Sequence, residues 1–174
     1  MSSPDPTAAE RSSLAGTWTL DPSQTSIVFH TKALWLINVK GMFNALEGTG
    51  TVGTDGSVSG SIVLDAASVD TKNKKRDDHL RSADFFAVET NPTMTFTLTG
   101  ARANGAGPVE LPGALTILGT TRPVTVVGDV IASESSATVS AELDIDRSEW
   151  GIMWAKMGAG LKNHVVITAR FTKA

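Results

Sequence analysis

Seven residues within one short run carry side chains that handle protons or bind ions. They are Arg76, Asp77, Asp78, His79, Arg81, Ser82 and Asp84, in the stretch RDDHLRSADFF from Arg76 to Phe86. A histidine among carboxylates is raw material for general acid–base chemistry or for metal ligation. A zinc or non-haem iron site wants three convergent ligands, often two histidines and a carboxylate. The chain has three histidines, His30, His79 and His164, on separate segments, and none pairs with another at i and i+4. Ser82 follows His79 by three positions, so a helix would put both on one face. A nucleophile–base pair also needs an oxyanion stabiliser and a group that orients the base, and no spacing here signals either. The chain has no cysteine, which removes disulfides, thiolate chemistry and cysteine-ligated metals.

The same stretch has a structural reading. Asp77 suits a helix N-cap and Asp78 a first turn, where carboxylates complement the helix dipole. Leu80, Phe85 and Phe86 are then apolar groups that need burial. Arg76, Arg81 and Asp84 are expected to pin the short helix by ion pairs, and Arg147 is a candidate partner for one of its carboxylates, because a guanidinium fork bonds a carboxylate bidentately. The basic run Lys72 to Arg76 reads as a solvated loop, with attraction of anionic lipid headgroups or a prenyl diphosphate as the sharper option, a field that the adjacent Asp77 and Asp78 blunt.

The elements that must position these groups are mostly strands. Thr25 to Thr31 alternates, with Ile27 and Phe29 on one face. Residues 33–38, ALWLIN, form a compact apolar patch that we read as a single helical turn carrying Trp35. Val39 to Val52 reads as a long strand whose Gly41, Gly48 and Gly50 suggest bends or bulges. Thr54-Asp55-Gly56-Ser57 is a hairpin turn, and Val58 to Leu64 returns with Ile62 and Leu64 in phase. Residues 68–92 break the pattern. Thr93 to Gly100 restores it with Met94, Phe96 and Leu98, followed by strands at 109–118, 121–131, 138–145 and 164–171. Leu115, Ile117, Leu143 and Ile167 fall on their inward faces. About eight alternating strands at short spacing argue for an antiparallel sandwich or barrel. Trp18 is expected to pack the first strand, while Trp150 and Trp154 suit a loop-borne apolar mouth, a satellite core or a dimer surface.

With 174 residues the chain is expected to hold one domain, 17–174, behind a disordered polar leader, 1–16. Its 15 Lys and Arg against 18 Asp and Glu give a net charge of −3, a balance that argues against nucleic acid. No signal peptide and no apolar run of about 20 residues is visible, so no integral membrane segment is expected and the cytoplasm is the default location.

Several blocks together resemble the YceI-like family of lipocalin-like, polyisoprenoid-binding proteins. They are SIVFHTK (26–32), VKGMFNALEGT (39–49), RDDHLRSADFF (76–86), NPTMTF (91–96), GALTILGTTRPVTV (113–126) and DRSEWGI (146–152). The resemblance implies an all-β fold, an extended eight-stranded antiparallel barrel with a short helical insertion around 76–86. It implies a binding or carrier protein, not an enzyme, that holds a long-chain isoprenoid lipid or isoprenoid quinone in an apolar tunnel. No other cofactor and no metal are expected. The ligand-binding residues so implied are Ile27, Phe29, Trp35, Phe43, Ile62, Leu64, Leu80, Phe85, Phe86, Met94, Phe96, Leu115, Ile117, Leu143, Trp154 and Ile167. Segment 153–163 and the basic run depart from the family pattern. Transient membrane contact and a homodimer are compatible with this reading. Two alternatives stand beside it: an enzyme acting on a quinone or prenyl substrate with His79 as acid or base, and a packed barrel serving as an interaction module.

Overall fold

The structure is a computed structural model that describes residues 13–33, 36–102 and 108–174. Nine strands run β1 (Gly16–Leu20), β2 (Ser26–Ala33), β3 (Ile37–Val52), β4 (Val58–Asp70), β5 (Thr93–Leu98), β6 (Val109–Ile117), β7 (Thr120–Ala132), β8 (Ser136–Asp146) and β9 (Lys162–Lys173), with helix α1 (Lys74–Leu80) between β4 and β5. All pairings are antiparallel, in the order β3-β2-β9-β8-β7-β6-β5-β4, and β3 pairs with β4 to close the sheet into a barrel.

The barrel has eight staves from nine strands because β1 and β2 share one. Residues 26–33 of β2 lie between the first half of β3 and β9, and β1 fills the same slot farther along, pairing Thr17 with Thr51 and Leu20 with Phe171. Asp21 breaks the stave. Its carboxylate accepts from the Ser23 amide at 3.0 Å and caps a 3₁₀ turn at Pro22–Gln24, whose proline suits a first helical position.

The alternation places the core as expected, with two corrections. Of residues 33–38, Ala33 ends β2 and pairs with Ile37 at the start of β3, and Asn38 continues that strand, so these residues belong to the β2–β3 ladder and not to a helical turn; Leu34 and Trp35 lie outside the described residues. The irregularities of β3 fall between Met42 and Asn44 and between Ala45 and Glu47, not at the glycines. Gly41 instead faces its pair partner Phe29, whose ring occupies the space a Cβ would need. The β6–β7 turn is Leu118-Gly119 with both residues at positive φ, 53° and 73°, the combination that matches strand twist in a two-residue hairpin.

Strand directions give the barrel two distinct ends. At one, the helical end, lie the β2–β3 turn, α1 with residues 81–92, and the 147–161 connection between β8 and β9. At the other, the hairpin end, lie the 53–57 turn, the β7–β8 connection and the start of β1.

Candidate functional site

The interior is not filled. A continuous cavity of about 1250 Å³ runs along the barrel, from Asn73, His79 and Lys156 at the helical end to Ser13, Val58 and Asp129 at the hairpin end. Ile27 and Phe29 of β2, Phe43 of β3, and Ile62 and Leu64 of β4 line it. So do Met94 and Phe96 of β5, Leu115 and Ile117 of β6, Leu143 of β8 and Ile167 of β9. Leu80, Phe85, Phe86 and Trp154 close one end. Thus each of the ligand-binding residues implied by the resemblance lines the cavity except Trp35, which lies outside the described residues. Val39, Leu111, Val126, Ala141, Val165, Ala169 and Phe171 line it as well. The last three share the phase of Ile167, so the same alternation marks them.

The helical end is a plug built on hydrogen bonds. Asn73, not Asp77, caps α1, accepting from the Arg76 amide at 3.0 Å. An asparagine is as good an N-cap as an aspartate, and it sits before a run of strong helix formers. Asp77 lies inside the helix, 6% exposed, where its carboxylate accepts from the Thr71 amide at 2.9 Å and hydroxyl at 2.6 Å. Arg76 donates to the Thr71 hydroxyl and carbonyl, not to a carboxylate. Arg81 donates to the carbonyls of Ala67 and Val69 and also reaches Asp78 at 3.1 Å, fastening the helix to the end of β4.

Arg147 also departs from expectation. It is 7% exposed and bonds three carbonyls, those of Gly160 at 2.9 Å, Ile152 at 2.9 Å and Ala159 at 3.5 Å, rather than a carboxylate of the 76–86 stretch. Its guanidinium lies over the Phe85 ring, 5.1 Å from the centroid, so it does touch that stretch, through a cation–π contact. Burial holds the guanidinium below its ordinary pKa, and the charge of Asp146 opposes that shift. The fork organises a loop that has too few strand partners for its own carbonyls.

Phe85 in turn meets Trp154 at 5.3 Å and, edge-on, His79 at 5.1 Å, while His79 meets Trp154 edge-on at 4.5 Å. Trp154 therefore belongs to the cavity mouth. Trp150 does not: it is 1% exposed and its indole donates to the Leu115 carbonyl at 2.9 Å, a core position.

The chemistry-bearing side chains of the opening stretch are engaged. His79 Nε2 lies 2.9 Å from Asp84 Oδ2, and the Ser82 hydroxyl donates to the His79 carbonyl at 2.6 Å, so Ser82 and the His79 ring do not pair. Asp78 is held below the ordinary carboxylate range, first by its hydrogen bond from Lys74. His30 and His164 are brought together after all, 6.4 Å apart on adjacent strands, with Asp144 2.6 Å from His164. They face away from the cavity, and among the described residues no group of three such side chains is placed to hold a metal.

What the cavity can do follows from its walls. Its length is almost entirely apolar, and polar groups gather at its ends. Such a site holds an elongated apolar molecule by burial and cannot stabilise developing charge along its middle.

Comparison with known proteins agrees with this architecture. A family model described as "YceI-like domain" matches residues 18–172. UPF0312 proteins are 42% identical over 71 residues in Ectopseudomonas mendocina, covering 41% of this chain and 37% of the relative, and 37% identical over 107 residues in Pseudomonas aeruginosa, covering 60% and 56%. The matched stretches thus span less than two thirds of these relatives' lengths. Among solved structures, BcnA of Burkholderia cenocepacia superposes with a TM-score of 0.75 at 21% identity, covering 87% of this chain and 98% of that one. A polyisoprenoid binding domain from Saccharophagus degradans gives 0.72 at 15% identity, covering 90% and 98%. At those identities the solved structures support the fold, and the family model, which spans the whole barrel, makes this chain a member of the YceI-like family.

Proposed function

We propose that this protein binds and carries a long-chain isoprenoid lipid or isoprenoid quinone, threaded along the barrel cavity. The observation that carries the reading is the cavity itself: a volume of about 1250 Å³ that reaches from the helical end to the hairpin end, with apolar walls from all parts of the barrel. The solved relative from Saccharophagus degradans is described as a polyisoprenoid binding domain, which supports the same ligand class. Each CH₂ removed from water contributes about 0.8 kcal/mol, so a five-carbon isoprene unit gives roughly 4 kcal/mol gross. A few such units exceed the ordering costs of binding. Branched methyls of an isoprenoid suit walls of mixed aromatic and β-branched residues such as Phe29, Phe96, Val126 and Val165.

Organic extraction of the purified protein followed by mass spectrometry is expected to yield a long-chain isoprenoid in near-stoichiometric amount. Repeated preparations that release only straight-chain lipid, or none, would sink the assignment. The packed-barrel alternative requires a filled interior, which this barrel lacks.

A further inference from the structure

Two regions of the surface combine exposed apolar tips with an opening of the cavity, and their charges differ. At the helical end, Leu36 is 88% exposed and Met153 65% exposed. Leu36 stands in the β2–β3 turn and Met153 in the loop after Trp150. The Gly160 amide donates to the Lys32 carbonyl at 2.7 Å, tying that loop to the β2–β3 turn, and Trp154 against His79 ties it to α1. The three elements therefore form one rim. Lys32, Lys75 and Lys156 stand on it, all lining the cavity mouth, and none has a carboxylate partner among the described residues. Of the carboxylates at this end, Asp70 is engaged with Lys72, Asp78 with Lys74 and Arg81, and Asp84 with His79, while Glu89 is exposed.

The hairpin end also shows an exposed apolar tip, Ile131, but its neighbour Asp129 is the one carboxylate among the cavity-lining residues. Apolar tips set among free lysines fit a surface of lipid phosphates, because the tips enter the boundary of the acyl region while the ammonium groups meet the headgroups. A tip beside a carboxylate is repelled by the same surface.

We propose that the helical end docks on an anionic lipid bilayer, placing the cavity mouth against the phase in which an apolar ligand dissolves. Docking goes beyond the ligand-binding reading and does not require the cavity to be loaded.

The test is cosedimentation of the full chain with vesicles of phosphatidylcholine alone or mixed with phosphatidylglycerol. Binding is expected only with phosphatidylglycerol, and it weakens as salt rises. Lys75→Ala is expected to lower the partition coefficient about fivefold. Leu36→Ser and Met153→Ser each lower it further, while Ile131→Ser leaves it unchanged. Equal binding to neutral vesicles overturns the proposal. So does an Ile131→Ser effect as large as that of Leu36→Ser, or absence of any binding. Uptake of a detergent-dispersed polyprenol is measured in parallel, and Leu36→Ser and Met153→Ser retain it. A wild-type protein that docks on the vesicles but takes up no polyprenol keeps the docking and removes the ligand assignment.

Discussion

The two ends of the cavity are built from opposite materials. The helical end spends side-chain volume: Phe85, Trp154 and His79 pack against one another, Arg147 lies over Phe85, and the carbonyls of Ile152, Ala159 and Gly160 converge on its guanidinium. The hairpin end has no such stack: Gly50, Ser59, Gly60, Ser61, Ala132 and Ala137 line the opening beside Trp18, Val52, Val58 and Val130. The difference teaches how a barrel stays open. Eight staves enclose a space that bulky inward side chains can fill. Here a hydrogen-bonded plug closes one end while the other has none, and the plug's buried polar groups, Asp77 and Arg147, are satisfied within the protein rather than by a ligand.

The largest effect separating the ends is expected from Arg147→Ala. It leaves the carbonyls of Ile152 and Gly160 without their donor and removes the cation from the Phe85 face, a loss of about 3 kcal/mol. Ser61→Ala at the opposite end is expected to change stability by less than about 0.5 kcal/mol. Thermal unfolding measures both. Hydrogen exchange adds the location: it should quicken across 81–92 and 147–161 in the Arg147 variant and stay unchanged across 53–57. Equal losses from the two substitutions would erase the contrast.

A smaller effect comes from acid. Asp78, Asp70 and Asp146 at the helical end have depressed pKa values, chiefly through hydrogen bonds from Lys74, the Lys72 amide and Ser148 respectively. At the hairpin end Asp55 is depressed by Ser57. A carboxyl whose folded value lies below its unfolded value stabilises fully above the unfolded value, and the contribution is lost as pH falls through the folded one. Below about pH 4, therefore, the helical end with its three such groups should loosen before the hairpin turn with its one, as read by exchange at α1 against residues 53–57.

Much of this was legible in the sequence, and the misses have physical causes. Alternation located the staves and the inward faces because a half-buried strand must place every second residue in the core. It could not tell an open interior from a filled one, since Phe96 and Ile117 obey the same period in both. The split stave was hidden because Asp21-Pro22 announces a turn and not that the chain then continues in the same slot. The N-cap at Asn73 was present as a residue type, but two adjacent aspartates competed for the role. Arg147 was read as an ion-pair partner because its fork fits a carboxylate, whereas a loop short of strand partners offered carbonyls instead. Contacts of that kind depend on where the 147–161 loop turns, which no local pattern encodes.

The most direct measurement of the central claim is a titration of delipidated protein with polyprenols of graded length, beside an Ala141→Phe variant whose fold is checked by circular dichroism. Ala141 lies in the middle of the wall and is 3% exposed. If the chain threads the cavity, affinity rises with each added isoprene unit, levels off once the cavity is full, and the Ala141→Phe variant levels off at a shorter chain. Affinity independent of length, or identical length profiles for the two proteins, would contradict the account.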